Sequence, residues 1–335
     1  MPAPLLEEVF KTGGVPTYTF VEPKEYADLI LNLRTPGRGL VIEGPSGIGK
    51  TTAVEKALAR LGLEKSVTKL SARRRQDVEY IESLPELGRV GVVIVDDFHK
   101  LPVTTRSALA DYMKTLADEE APDIKIIVIG INKAGQNLIS FAHDLVNRID
   151  IVPFESNSDE KVRGLIDKGC SALNVSLAVE DDIVVASQGS FYIAQMLSRE
   201  VCKRAGILES CETPSTTAIS FESVKAEVWE RLALVFRSRC ERFCRGKNMK
   251  REGRAPYLHI LRWLAEGTEW MLSLRDAMRS HPAMRGSVGQ VVDKGYLREL
   301  MDGDEEIAAV MHLDSTAEQL RRLWETRAIQ ARMVL

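Results

Sequence analysis

Gly39-Leu40-Val41-Ile42-Glu43-Gly44-Pro45-Ser46-Gly47-Ile48-Gly49-Lys50-Thr51-Thr52 joins a short apolar stretch to a glycine loop and then to a periodic run. The residues before the loop suit a buried strand, and Ala53, Val54, Ala57, Leu58 and Leu61 recur at helical spacing after it. Gly44, Gly49, Lys50 and Thr51 satisfy G-x-x-x-x-G-K-[ST]. Such a loop aims backbone N–H groups at phosphate oxygens, and the following helix adds the positive end of its dipole. The stretch from Gly44 to Thr52 (Gly44, Pro45, Ser46, Gly47, Ile48, Gly49, Lys50, Thr51 and Thr52) is therefore expected to cradle a nucleoside triphosphate. Lys50 is expected at the β- and γ-phosphates, with the Thr51 hydroxyl on Mg²⁺. From average composition, the four fixed positions recur by chance in roughly one chain of this length in a hundred.

With 335 residues, 44% of them hydrophobic, the chain is long enough for two or three domains with real cores. A net charge of −3 gives no global pull towards nucleic acid, although a local basic patch remains open. Cys170, Cys202, Cys211, Cys240 and Cys244 form no Cys-x-x-Cys pair, so a zinc site or disulfide framework is not expected. The start Met1-Pro-Ala-Pro-Leu-Leu-Glu-Glu does not read as a signal peptide. No apolar run approaches the ~20 residues of a membrane span. A cytoplasmic protein without a membrane contact is the expectation.

Along the chain, residues 1–38 read as a lead-in, with an extended segment over 17–21 and a helix from Lys24 to Leu33. Ser66 to Leu70 reads as a second strand. Ala72-Arg73-Arg74-Arg75 then opens a helix reaching about Leu84, its arginines forming either a solvated helix start or a phosphate-contacting loop. Val90 to Asp97 is a β-branched run ending in two acids, as a buried parallel strand delivers them to the ligand edge of an open sheet. Asp96 is placed to support Mg²⁺, and Asp97 to act as the base that orients the attacking water. His99 and Lys100 stand either near the γ-phosphate or in an exposed turn. Thr104 to Leu116 reads as a helix, Ile124 to Ile131 as a strand leading to Asn132, Leu138 to Val146 as a helix, and Ile149 to Val152 as a fifth strand after Arg148.

The glycine loop, the acidic pair Asp96-Asp97, the strand ending at Asn132 and Arg148 before the last strand together resemble the AAA+ P-loop ATPases. The resemblance covers about residues 15–205. Within that superfamily the chain is similar to origin-recognition and transposon-regulator ATPases and to STAND-type signalling ATPases. The resemblance implies ATP and Mg²⁺ as cofactors, Asn132 as the sensor-1 residue, and Arg148 as an arginine finger completing a neighbouring subunit's site. A surface arginine capping a helix C-terminus is the alternative for Arg148. In many such ATPases the segment before the first strand lines the adenine pocket, which makes Phe20 and Val21 candidates beside plain core packing. Asp96-Asp97 replaces the usual Asp-Glu pair. Ser190-Phe191-Tyr192-Ile193-Ala194-Gln195 carries no basic residue where a sensor-2 arginine is usual, so that role stays unassigned.

The fold class expected is α/β, a P-loop parallel-sheet core over 39–156 with a helical lid over 157–206. A polar linker and helix follow over 207–252, and a winged-helix-like domain over 253–335. Lid helices are read over 159–168, 181–186 and 191–204. The helix after the linker is read over 222–244; in the last domain, helices are read over 257–265, 272–279, 287–294 and 316–330, with strands over 296–300 and 307–313. Arg237 to Arg254 holds eight basic residues against two acidic ones and is either a phosphate-backbone contact or a solvated helix end. Asp302, Asp304, Glu305 and Glu306 at the wing tip argue for a protein contact over a DNA contact. The leading expectation is an ATP-dependent, homo-oligomeric switch that acts on a protein partner through the C-terminal domain. The alternatives are an ATPase assembling on DNA through Arg73–Arg75 and Arg237–Arg254, and a STAND-like sensor in a bacterial conflict system.

Overall fold

The computed structural model describes residues 3–44, 47–88, 90–130, 135, 138–139, 142–245, 256–266 and 273–297. The chain divides into two units, Met1–Ile219 and Ser220–Leu335.

The first unit is built on five parallel strands, β1 (Gly39–Glu43), β2 (Val67–Ser71), β3 (Val92–Asp96), β4 (Lys125–Ile129) and β5 (Ile149–Pro153), in the order β2-β3-β4-β1-β5. β1, β3 and β4 lie inside the sheet and bury nearly every residue, which is why they read as unbroken β-branched runs. β2 and β5 are the edges and expose part of each strand. On one face Val41, Val93, Val95 and Val128 pack against α4 (Arg75–Ser83) and α5 (Val103–Asp118) through Ile81, Leu109 and Met113. The crossover from β1 to β2 through α3 (Lys50–Arg60) runs across the sheet in the opposite sense to those through α4 and α5. Right-handed crossovers therefore put α3 on the other face, where Leu40, Ile42, Ile94 and Ile127 are buried. The reversal opens a crevice at the C-terminal ends of β1 and β4, where open α/β sheets bind ligands.

The lid comprises α6 (Asp159–Leu173), α7 (Glu180–Ser187) and α8 (Phe191–Arg204). Ser158 caps α6 by accepting from the Lys161 N–H, and Ser190 caps α8 by accepting from the Ile193 N–H. The 159–168 helix runs a turn longer than the sequence suggests, ending at Asn174 in the left-handed conformation. The stretch read as a polar linker contains a strand, β7 (Ser215–Thr217), paired in parallel with β6 (Val175–Leu177). A three-residue strand of Ser and Thr has too little apolar alternation to be read from sequence.

The lead-in carries a short helix, α1 (Leu6–Val9), and α2 (Tyr26–Arg34). The Leu6 N–H donates to the Leu208 carbonyl (2.8 Å) and the Ser210 N–H to that of Pro4 (2.9 Å). No strand forms over 17–21: the Thr19 hydroxyl donates to the Val9 carbonyl, and Phe20 packs edge-on to Tyr26.

In the second unit, α9 (Phe221–Arg245), α10 (Pro256–Glu266), α11 (Leu274–Ser280) and α12 (Pro282–Asp293) enclose a core including Phe243, Tyr257, Ile260, Trp263 and Val288. α11 and α12, joined at His281, form a helix-turn-helix pair. α12 begins five residues before the expected Ser287, because Pro282 at its first turn has the φ that starts a helix. Tyr296 and Leu297 are helical where the strand over 296–300 was expected to begin; the rest of that strand, the strand over 307–313, the helix over 316–330 and half of the Arg237–Arg254 cluster lie outside the described residues. Among the described residues no helix is long and apolar enough to cross a membrane.

Candidate nucleotide site

The loop between β1 and α3 is shaped by glycines at the left-handed angles that side chains disfavour: φ is 144° at Gly44, 83° at Gly47 and 102° at Gly49. A Cβ at Gly44 would run into the Phe154 carbonyl oxygen. Gly49 is the N-cap of α3, so the first N–H groups of the helix have no intrahelical acceptor and open onto the loop. Ile48 is buried and anchors the loop, while Thr51 and Thr52 occupy the first turn of α3. The Lys50 ammonium donates to the Gly44 carbonyl (2.7 Å), which draws its side chain back across the loop. Pro45 and Ser46 lie outside the described residues, as does Asn132.

Beside the loop, β3 delivers Asp96 and Asp97. The Thr51 hydroxyl donates to Asp96 Oδ2 (3.2 Å), and the Asp97 N–H donates to Asp96 Oδ1 (2.7 Å). Burial pushes the Asp96 carboxyl above its ordinary pKa, and the Asp97 charge adds to the effect. The Asp97 N–H, the Thr51 hydroxyl and the Lys50 ammonium act against it. A hydroxyl and a carboxylate side by side are the hard oxygen donors that Mg²⁺ takes. The donor set therefore fits Mg²⁺ as chemistry, and the glycine cradle with Lys50 fits the phosphates beside it.

Asp97 sits in the left-handed conformation at φ 57°. Both of its carboxylate oxygens are held by Arg73, whose Nε donates to Oδ2 (2.6 Å) and Nη2 to Oδ1 (2.9 Å), with the Ser71 hydroxyl donating at 3.4 Å. This fork decides the reading of the arginine run. Arg74 pairs with Asp77 (3.9 Å) and Arg75 with Glu79 (3.1 Å), so all three arginines are engaged with carboxylates of the same chain. Only Arg75 lies inside α4, which starts later than the expected Ala72. His99 and Lys100 are half-buried in a 3₁₀ turn directly after Asp97.

Arg148 follows a 3₁₀ turn over His143–Asn147 that replaces part of the helix expected to run to Val146. Its guanidinium pairs with Asp118 and donates to the Asp144 carbonyl (2.8 Å). The Asp118 hydrogen bond raises the already high Arg148 pKa. Because Ile149 pairs with Gly39 and Pro153 with Glu43, Arg148 stands at the N-terminal end of β5, one strand length from its own phosphate loop. From the level of Arg148, one residue before that register, to Gly44, one residue after it, is about 20 Å at ~3.3 Å per residue.

Sequence reading left the lid side of the site blank, and the structure fills it with Phe191, Tyr192 and Asn157. The Tyr192 N–H donates to the Gly47 carbonyl (3.2 Å), and a Cβ at Gly49 would lie 3.4 Å from the Phe191 ring. The Asn157 amide donates to the Gly189 carbonyl (2.9 Å) and lies 3.5 Å from that of Ile48. An aromatic pair thus covers the loop where a lid cation was sought. The absent basic residue was the only signal of it.

The chain aligns with the Aeropyrum pernix ORC2 protein, solved as ADPNP and ADP complexes, over 98% of both chains, with 13% identity and a TM-score of 0.50. The chain has the fold of the AAA+ P-loop ATPases and resembles their origin-recognition members. The A. pernix ORC1 protein in complex with DNA is also similar, at 13% identity over 93% of this chain and 95% of that one, with a TM-score of 0.48. So is the Thermotoga maritima RuvB Holliday junction branch migration motor, at 19% identity over 76% and 79%, with a TM-score of 0.45. No protein-family model and no curated protein matches the sequence.

Proposed function

We propose that the protein binds and hydrolyses ATP with Mg²⁺ and works as a nucleotide-dependent oligomeric switch, its output passing through the second unit to a protein partner. The observation that carries this reading is the Thr51–Asp96 contact at the mouth of a glycine loop that also holds Lys50. Lys50 and the loop N–H groups bind the phosphates, and Thr51 and Asp96 hold the ion. Bound Mg²⁺ supplies charge neutralisation to the phosphates. Asp97, once parted from Arg73, orients the attacking water, and Asn132 serves as the sensor. Arg148, one strand length from its own loop, serves the site of a neighbouring copy, so ATP favours the oligomer and hydrolysis loosens it.

The test is nucleotide binding and turnover in Lys50→Ala and Asp97→Asn. The proposal expects Lys50→Ala to lose ATP binding. Asp97→Asn is expected to keep it while turnover falls by about 10²-fold or more. Full turnover in Asp97→Asn would remove Asp97 from the mechanism.

A second reading, in which the partner is duplex DNA, draws on the helix-turn-helix pair. Arg275, Arg279, Arg285 and Lys294 are exposed on it, against Asp276 and Asp293. It requires ATP turnover that rises with duplex DNA and loses that rise steeply with salt.

A further inference from the structure

At the N-terminal ends of β3 and β4, the end of the sheet away from the phosphate loop, a cavity of about 760 Å³ opens beside α5. That is the size of a pocket that takes a small molecule or a short stretch of peptide, and far more than an ion needs. Ala108, Leu116, Pro122 and Ile124 give it apolar walls, and Asp111, Glu119 and Asp123 stand around them. All three acids are exposed, and among the described residues none of their carboxylates takes a hydrogen bond or an ion pair. Nor is there a lysine or arginine among the described residues that line the cavity. Asp118, on the same last turn of α5, is answered by Arg148; its three neighbours are not.

The helix end adds to the charge of these side chains. α5 closes at Glu119, its last carbonyls carry the negative end of the helix dipole, and its last turn holds no basic residue. Cations stabilise such an end, whereas Glu119 adds its own negative charge to it. Tyr112 stands in the wall, buried, its hydroxyl donating to the Gly88 carbonyl at a long 3.4 Å, so the phenol oxygen keeps its lone pairs for an incoming donor. Burial first, and then the Glu119 charge, raise the Tyr112 pKa, which keeps the phenol neutral. Carboxylates without partners, a phenol oxygen and apolar walls together suit a cation carried on an apolar stem. A guanidinium fits best, because it is weakly hydrated, planar, and forks onto carboxylates.

We propose that this cavity is the docking site of a protein partner that presents an arginine flanked by apolar residues. The carboxylates of Asp111, Glu119 and Asp123 and the Tyr112 oxygen receive the guanidinium, and the flanking residues cover Leu116 and Ile124. Because the cavity and the phosphate loop lie at opposite ends of the strands, the partner and a nucleotide can be held at the same time. The inference rests on the protein-partner half of the proposed function and gives that partner a surface on the first unit. It does not draw on the phosphate site.

The experiment is fluorescence anisotropy of the full chain with a fluorescein-labelled octapeptide of alternating arginine and leucine. Octapeptides of arginine with serine and of glutamate with leucine are the comparisons. Wild type is expected to bind the arginine–leucine peptide, more weakly as salt rises, the arginine–serine peptide about tenfold less tightly, and the glutamate peptide not at all. The triple variant Asp111→Asn, Glu119→Gln, Asp123→Asn is expected to lose about tenfold in affinity. Ala108→Trp fills the cavity from an exposed position and leaves every charge in place, and it is expected to lose binding too. Thermal melts and ATP-analogue binding equal to wild type show that both variants are folded. Undiminished peptide binding by Ala108→Trp would overturn the inference, since only a general attraction to acidic surface would then remain. So would failure of wild type to bind the arginine–leucine peptide, an arm that needs no variant to fold. Either failure leaves the nucleotide site standing.

Discussion

Removing Arg73 should accelerate the protein, although Arg73 touches the residue assigned to hydrolysis. The Arg73 guanidinium takes both Asp97 oxygens, at 2.6 and 2.9 Å. A carboxylate held that way cannot also align a water. The fork is charge-assisted and bidentate, but the Arg73 side chain is 59% exposed against 21% for Asp97, so solvent screens much of the pair. About 1 kcal/mol is a fair net value for it. At that strength the clamp holds Asp97 roughly five times more often than it releases it, so about one site in six is competent at any moment. Arg73→Ala should then raise kcat up to about sixfold, and KM should stay put because Asp97 does not bind the nucleotide. Steady-state phosphate release at saturating ATP and Mg²⁺ is the assay. Raising salt should speed wild type and leave the variant unchanged. A variant slower than wild type, with its oligomeric state unchanged, would refute the clamp and make Arg73 a contributor to the reaction.

Two further predictions concern groups whose burial the structure fixes. Asp96 has its pKa raised in the fold, so its charge costs stability, and the cost appears as pH rises from the unfolded value through the folded one. Asp96→Asn should therefore raise the Tm of the nucleotide-free protein at neutral pH, a gain that fades towards pH 4, while Mg²⁺-dependent turnover is lost. Thermal melts at both pH values check this. Lys125 is buried at the start of β4, donating to the Asn32 and Thr35 carbonyls at the end of α2 (both 2.7 Å), and burial pulls its pKa from 10.5 down to about 8. Between those values the unfolded chain binds the extra proton, so this group should add on the order of 3 kcal/mol of stability as pH rises from 8 to 10.5. In Lys125→Met that part of the slope should vanish from denaturant unfolding curves.

How much of this was legible in the sequence follows from burial. β1, β3 and β4 are covered on both faces, and their continuous apolar runs announced them. α8 was readable to the residue, Phe191–Arg204, because Gly189-Ser190 supplies both a break and a cap. The glycine loop and Asp96 came from motif chemistry that local sequence carries. The Arg73–Asp97 fork did not, since it joins residues on two different strand ends that only the sheet brings together. Nor did the hydrogen bonds that run from Gln195 to Thr19 to Val9, whose three members lie on the lid, the lead-in and α1. The first turn of α12 lies before the expected 287–294 helix, started by Pro282 at its first position.

The central claim is that ATP ties copies of this chain together through Arg148. Light scattering in ADP and in a non-hydrolysable ATP analogue, with and without duplex DNA, tests it most directly. The account predicts a larger mass with the ATP analogue alone, and loss of that growth in Arg148→Ala. Growth that needs DNA would shift the output to the second reading. A monomer under all four conditions would contradict the switch and leave Arg148 as a cation paired with Asp118 within its own chain.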